Sequence, residues 1–296
     1  MKNPYSTTKV IYHPELVEAF AERKSHRLKP HHIHLMPQNL CNQSCHFCSY
    51  RLEGWHNSEL FNDKKHIPWP KMKEIVWDLF DMSVKAVEIT GGGEPLAYPF
   101  IKELLLELLE TNIELGLVTN ATLLTPEVAD ILAKFGPRFK WSRVSIDSGC
   151  LETYVKVRRC PPTHWEKAWN GIVRLSKILT REEQILGIGY VVTDQNWEEV
   201  FQLCEMANDV PVDSVRVSVA FTPKGADILT KEEAASCQIL IDQAKLRCKN
   251  IEIAALLLER LENLSHHQDY DYCGTKDLLC VIEGEQKVYT CCSLTG

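Results

Sequence analysis

Residues 38–51, QNLCNQSCHFCSYR, carry Cys41, Cys45 and Cys48 in the spacing C-x3-C-x2-C. Thiolates ligate zinc and iron-sulfur clusters, and a closed structural zinc site wants four ligands. His46 or His56 could complete such a zinc knot. The competing reading is a 4Fe-4S cube with three corners held by cysteine and one iron left open. Structural zinc sites usually pair one C-x2-4-C with a second well-spaced pair, so the lone triad favours the cube.

A second chemically loaded stretch is EITGGGEP, residues 88–95. Three consecutive glycines let exposed backbone approach a bound ligand closely, although a permissive strand-to-helix turn would use them too.

Both stretches follow short β-rich runs, and the elements that must position them repeat along the chain. HIHLMPQ predicts a strand leading into the cysteine loop, and VKAVEIT a strand ending at Gly91, Gly92 and Gly93. The strands IELGLVTN, WSRVSIDS, ILGIGYVVT and SVRVSVAF follow, each separated from the next by a helical run. PWPKMKEIVWDLFDM begins with proline, and TPEVADILAKFG offers Thr125 as N-cap with Pro126 at the first position. Six β/α units in series require crossovers, hence a parallel sheet with helices outside and functional loops at the carboxyl ends of the strands. The fold class expected is α/β: a partial (β/α)6 barrel over residues 31–248, after an N-terminal extension at 1–30. A small cysteine-rich module is expected at 249–296.

On the triad and the glycine run, the chain resembles the radical S-adenosylmethionine (SAM) enzymes over roughly residues 31–222. The resemblance implies a 4Fe-4S cluster on Cys41, Cys45 and Cys48, with Phe47 as the aromatic residue before the last cysteine. SAM would chelate the open iron through its amino and carboxylate groups. Gly92, Gly93 and Glu94 match the motif that contacts the amino group. Weaker matches nominate Ser145 and Asp147 for the ribose and carboxylate. Arg158, with Arg159 as rival, is nominated for the carboxylate, and Gly187 and Gly189 lie near the adenine position. An electron donor such as flavodoxin or ferredoxin is implied as partner. The implied reaction is cleavage of SAM to a 5'-deoxyadenosyl radical that abstracts hydrogen from a substrate. A peptide ranks first as that substrate, with dehydrogenation or epimerisation of a carbohydrate or other small molecule as alternative. Such chemistry belongs to the cofactors, so no catalytic dyad is expected. His31, His32 and His34 then read as packing or solvent-facing groups.

The tail CGTKDLLCVIEGEQKVYTCC reads as strand, glycine turn and strand. It resembles the start of the SPASM or twitch extension of these enzymes, which implies an auxiliary 4Fe-4S cluster using Cys273, Cys280, Cys291 and Cys292. Gly284 sits two residues further from Cys291 than in that pattern. A full SPASM domain would carry more cysteines, so either the chain is truncated or a smaller site uses these four. Zinc, or ordinary thiols, is the alternative. A non-enzymatic zinc or iron-sulfur protein for electron transfer or redox sensing remains the competitor from another class.

Composition narrows the setting. With 296 residues and 45% hydrophobic content, the chain can bury its core without disulfides. Its 33 Lys plus Arg against 40 Asp plus Glu give a net charge of -7, which argues against a nucleic-acid groove. No apolar run reaches membrane-spanning length and the N-terminus lacks a secretory pattern, so a soluble cytoplasmic protein is expected. Twelve cysteines there are weighed as ligands when clustered. Cys150, Cys160, Cys204, Cys237 and Cys248 are scattered, and Cys204 and Cys237 fall on amphipathic helical patterns, which reads as core packing.

Overall fold

The computed structural model describes residues 14–22, 29–52, 61–220, 228–255, 257–265, 273 and 278–291. After helix α1 (Pro14–Ala21), strand β1 (His32–Leu35) opens the sheet, followed by α2 (Trp69–Asp81), β2 (Ala86–Ile89), α3 (Ile101–Leu109) and β3 (Glu114–Thr119). Next come α4 (Pro126–Lys134), β4 (Phe139–Ser145), α5 (Leu151–Arg158), α6 (Thr163–Ser176) and β5 (Ile185–Val192). Then follow α7 (Val200–Asn208), β6 (Ser214–Val219), α8 (Lys231–Arg247), β7 (Glu252–Ala255), α9 (Leu257–Ser265), β8 (Leu279–Ile282) and β9 (Val288–Tyr289).

The nine strands form one sheet in the order β7-β6-β5-β4-β3-β2-β1-β8-β9. Strands β1 to β7 pair in parallel with their sequence neighbours, as the alternating β/α pattern requires. The described strands do not close into a ring, which is the open architecture of a partial barrel. Described residues beyond 249 contribute strands to both ends of this sheet. β7 extends it past β6, while β8 pairs in parallel with β1 and turns back antiparallel as β9. The tail hairpin read from the sequence is therefore present, and it is built onto the first strand.

Local chemistry explains the helix boundaries. The Thr125 hydroxyl accepts a hydrogen bond from the Val128 amide at 3.2 Å, and Pro126 occupies the first turn of α4. Thr230 and Glu233 form a reciprocal capping box at the start of α8. Between α4 and β4, Gly136 adopts φ +53°, a left-handed conformation that favours glycine.

Strand alternation then decides what faces where. Ile33 and Leu35 of β1 are buried with Met72 and Val76 of α2, whereas His32 and His34 face the opposite side. On that inner side, Glu88, Gly116, Arg143 and Gly187 line a cavity at the amino end of the strands. Two residues further along the same strands, Thr90, Val118 and Ser145 line another at the carboxyl end. Among the described residues, cavities thus lie at both ends of the inner face.

Candidate active site

The carboxyl-end cavity, of ≈ 420 Å³, is lined by Cys41, Cys45, Phe47 and Cys48 together with Gly91, Gly92, Gly93, Glu94, Ser145 and Arg158. Two loops that lie some fifty residues apart in sequence meet here because parallel β1 and β2 end side by side. Backbone bonds stitch them together: Gly93 N donates to Gln38 O at 3.2 Å and Glu94 N to Leu40 O at 2.9 Å. The glycines are required by this closeness. A Cβ on Gly93 would lie 2.1 Å from Leu40 O, and one on Gly92 would lie 2.5 Å from the Phe61 ring.

A group that the motifs did not nominate fastens the same junction. Arg51 donates from Nη2 to Asn39 O at 2.7 Å and from Nη1 to Gly92 O at 3.1 Å. Its Nη1 also lies 3.6 Å from Cys48 Sγ. A planar guanidinium suits this because its donors diverge in a fixed fork. The cysteine loop is tied to the loop after β3 as well, where Asn120 Nδ2 donates to Asn42 Oδ1 at 2.8 Å and Asn42 Nδ2 to Thr122 Oγ1 at 2.8 Å. Behind it, the turn residue Gly284 of the β8–β9 hairpin packs so closely that a Cβ would come 2.7 Å from Asn39 Oδ1.

On its other flank the loop docks on the end of α5. Ser44 N donates to Arg158 O at 3.1 Å and His46 N to Val157 O at 3.0 Å, which satisfies carbonyls left open by the helix terminus. Gln43 Nε2 reaches the Tyr154 hydroxyl at 2.9 Å. Arg159 ends the helix in a left-handed conformation with φ 46° and is exposed, whereas Arg158 is buried and faces the cavity. Of the two rival arginines, the structure brings Arg158 to the site.

Asp147 stands behind Arg158 and does not line the cavity. Its Oδ2 accepts from Arg158 Nη1 at 2.6 Å, its Oδ1 accepts from Val191 N at 2.7 Å, and its carbonyl accepts from Asn196 Nδ2 at 2.8 Å. These bonds hold it at φ 60°, a conformation that costs about 1–3 kcal/mol in a residue other than glycine. Burial pushes its carboxyl pKa up while Arg158 and the Val191 amide oppose the rise. Glu94 is likewise taken up by the fold. Its carboxylate accepts from Thr119 Oγ1, from Asn120 N at 2.8 Å and from Leu96 N at 3.1 Å. Gly187 and Gly189 do not line the carboxyl-end cavity, and Gly187 faces the amino-end one.

Two of the thiols, Cys41 and Cys45, sit where burial favours the protonated form. Burial pushes Cys45 up to about 12, with Arg158 opposing, and raises Cys41, where the charge of Glu94 adds to the rise. Metal binding would displace those protons.

These residues fit an iron-sulfur cube with a cofactor beside it. The three sulfurs line one cavity, yet they do not gather with a third ligand atom within 4.8 Å as donors to one ion would. Among the described residues His46 does not gather with the cysteine sulfurs as a zinc knot would require, since no set of three donors that includes it falls within 4.8 Å, and His56 lies outside the described residues. Buried Arg158 lines the cavity with its Nε lacking a hydrogen-bond partner, as a guanidinium awaiting an anionic group would. In the tail, Cys273 is exposed and Cys280 and Cys291 are half-buried, and their sulfurs do not form a set within 4.8 Å. Cys292 lies outside the described residues.

Residues 35–207 match the family model of the Radical SAM superfamily, and the chain belongs to that superfamily. That superfamily works with a 4Fe-4S cluster and SAM. Among curated proteins, it is 31% identical over 126 residues to the AdoMet-dependent heme synthase of Methanosarcina barkeri (strain Fusaro / DSM 804), covering 43% of this chain and 34% of that one. Among solved structures, SuiB of Streptococcus suis bound to precursor peptide SuiA superposes with TM-score 0.68 at 20% identity, covering 94% of this chain and 63% of that chain. The structure of anSMEcpe with bound AdoMet gives TM-score 0.62 at 17% identity, covering 88% and 75%. The chain thus spans about a third of the curated relative and less than two thirds of SuiB. Among the described residues no helix is long and apolar enough to cross a membrane.

Proposed function

We propose that Cys41, Cys45 and Cys48 hold the 4Fe-4S cluster, and that SAM lies between it, the Gly92–Glu94 backbone, Ser145 and Arg158. The observation that carries this reading is the meeting of the cysteine loop and the glycine run at one cavity, with Arg158 between them and β4. When bound, cluster and SAM together supply a 5'-deoxyadenosyl radical that abstracts hydrogen from the substrate. Arg158 is the chain's cation for the cofactor carboxylate, and Asp147 and Ser145 O fix its orientation. Phe47 and Tyr50 contribute aromatic surface beside the cysteines, which excludes water from the reacting centre. Flavodoxin or ferredoxin is the electron donor, and Cys273, Cys280, Cys291 and Cys292 are the source of ligands for an auxiliary cluster.

The substrate is a peptide. Support comes from the SuiB fold, whose solved structure is bound to a precursor peptide.

Anaerobic reconstitution with iron and sulfide, followed by dithionite and SAM, should yield 5'-deoxyadenosine from the wild type and none from Cys45→Ala. Equal yields would remove the cluster assignment. Deuterium should pass into 5'-deoxyadenosine from the peptide fraction of a cell extract grown in heavy water. Transfer from the low-mass fraction alone would overturn the peptide assignment.

A further inference from the structure

At the opposite end of the sheet, His32 and His34 alternate on β1 and so project onto one face, the inner one. The parallel register sets His34 beside Glu88 of β2. His34 Nε2 lies 3.3 Å from Glu88 Oε2 and His32 Nε2 lies 3.8 Å from the same oxygen. Among the described residues, this is the one set of three histidine, cysteine or carboxylate groups whose ligand atoms all fall within 4.8 Å of one another.

We propose that His32, His34 and Glu88 form a second metal site, for a divalent ion of the zinc type, completed by water from the amino-end cavity. Tetrahedral zinc with nitrogen and oxygen ligands at about 2.0–2.2 Å places its donors roughly 3.3 Å apart. The Glu88–His34 separation already has that value, and His32 needs to approach by about half an ångström. A plain histidine–carboxylate pair would account for His34 and leave the convergence of His32 on the same oxygen without a purpose. The ≈ 540 Å³ cavity lined by His32 and Glu88 gives an ion and its water a way in.

Burial lowers the His32 pKa, which favours its neutral imidazole, while the Glu88 charge opposes the shift. At Glu88 burial would raise the pKa, but the hydrogen bond from His34 and the Arg143 charge are among the causes that leave it lowered. Other charged groups line the cavity. Lys140 and Glu114 pair at 3.2 Å, and Glu183 and Arg143 also face it, with Arg143 lying 5.6 Å over the Trp141 ring. Arg143 is the one whose charge bears on Glu88, and it works against a cation there.

The site is separate from the cysteine cavity yet joined to it by two strands. β1 leads directly into the cysteine loop and β2 into the glycine run. An ion bridging His32, His34 and Glu88 pins these strands in register at the end away from the cluster.

The test uses the cluster-loaded enzyme, whose cysteine triad is already occupied, and zinc as the probe. Titration should find one zinc per chain, and X-ray absorption at the zinc edge should show nitrogen and oxygen near about 2.0 Å with no sulfur near about 2.3 Å. His32→Ala, His34→Gln and Glu88→Gln should each weaken zinc binding at least tenfold while iron content is kept. Arg143→Gln should tighten it. Absence of zinc from the wild type, sulfur in its shell, or wild-type affinity in His32→Ala would each overturn the proposal. Should the ligand variants fail to fold, Arg143→Gln decides, because unchanged or weaker zinc binding there places the ion elsewhere.

Discussion

Arg158 donates from Nη1 to Asp147 Oδ2 at 2.6 Å and from Nη2 to Ser145 O at 2.6 Å, so one buried cation is clamped by two positions of the same strand end. Both side chains are almost wholly buried. Burying an ion pair brings little net stability, but removing one partner leaves the other uncompensated. Asp147→Asn should therefore destabilise the protein by about 3–5 kcal/mol in urea unfolding. It should also weaken SAM binding to the reconstituted enzyme, measured by calorimetry, because Arg158 loses its orientation.

Gly93 and Gly189 make a controlled pair. A methyl group on Gly93 meets Leu40 O at 2.1 Å, which is backbone and cannot yield, whereas one on Gly189 meets only the flexible Arg143 chain at 3.5 Å. Gly93→Ala should cost about 3 kcal/mol and abolish SAM binding, while Gly189→Ala should cost under about 1 kcal/mol. Denaturant midpoints together with SAM titration check both.

Arg51 joins Asn39, Gly92 and the Cys48 sulfur through one guanidinium. Lysine keeps the charge but cannot span two carbonyls. Arg51→Lys should lower iron retained per chain after reconstitution, and Arg51→Ala should lower it further, with about 3 kcal/mol of loop docking lost. Iron analysis reads the effect against a wild-type value of about four per cube.

Burial pushes the Cys204 and Cys237 thiols up from 9.0 to about 12. A folded-state pKa above the unfolded one means that the folded chain holds its proton more tightly. The resulting stability is complete below about pH 9 and is lost as pH rises toward about 12. Urea midpoints should fall between about pH 8 and about pH 11 more steeply in the wild type than in the Cys204→Ala, Cys237→Ala double variant. Parallel slopes would assign the alkaline loss to other groups.

Much of this protein was legible in order and spacing. The triad, the glycine run and the alternation of strand and helix predict a β/α sheet with its loaded loops at the carboxyl ends, because turn chemistry and side-chain period act over a few residues. Thr125 and Pro126 fixed a helix start for the same local reason. Arg51 left no signal, since its carbonyl partners at 39 and 92 are any backbone to a pattern search. The polar Asp147 was visible on its strand, but its left-handed turn and its place behind Arg158 were not.

The sequence by itself determined the local elements, the cysteine and glycine loops and the superfamily-like chemistry they imply, because each depends on residues close together in the chain. Only the tertiary structure decided that β8 lies beside β1, that Arg158 and not Arg159 reaches the cavity, and that His32, His34 and Glu88 converge. Those outcomes depend on strand register and on helix rotation against the sheet. Both are set by burying the apolar faces of distant segments together, and no spacing within a single segment carries that information.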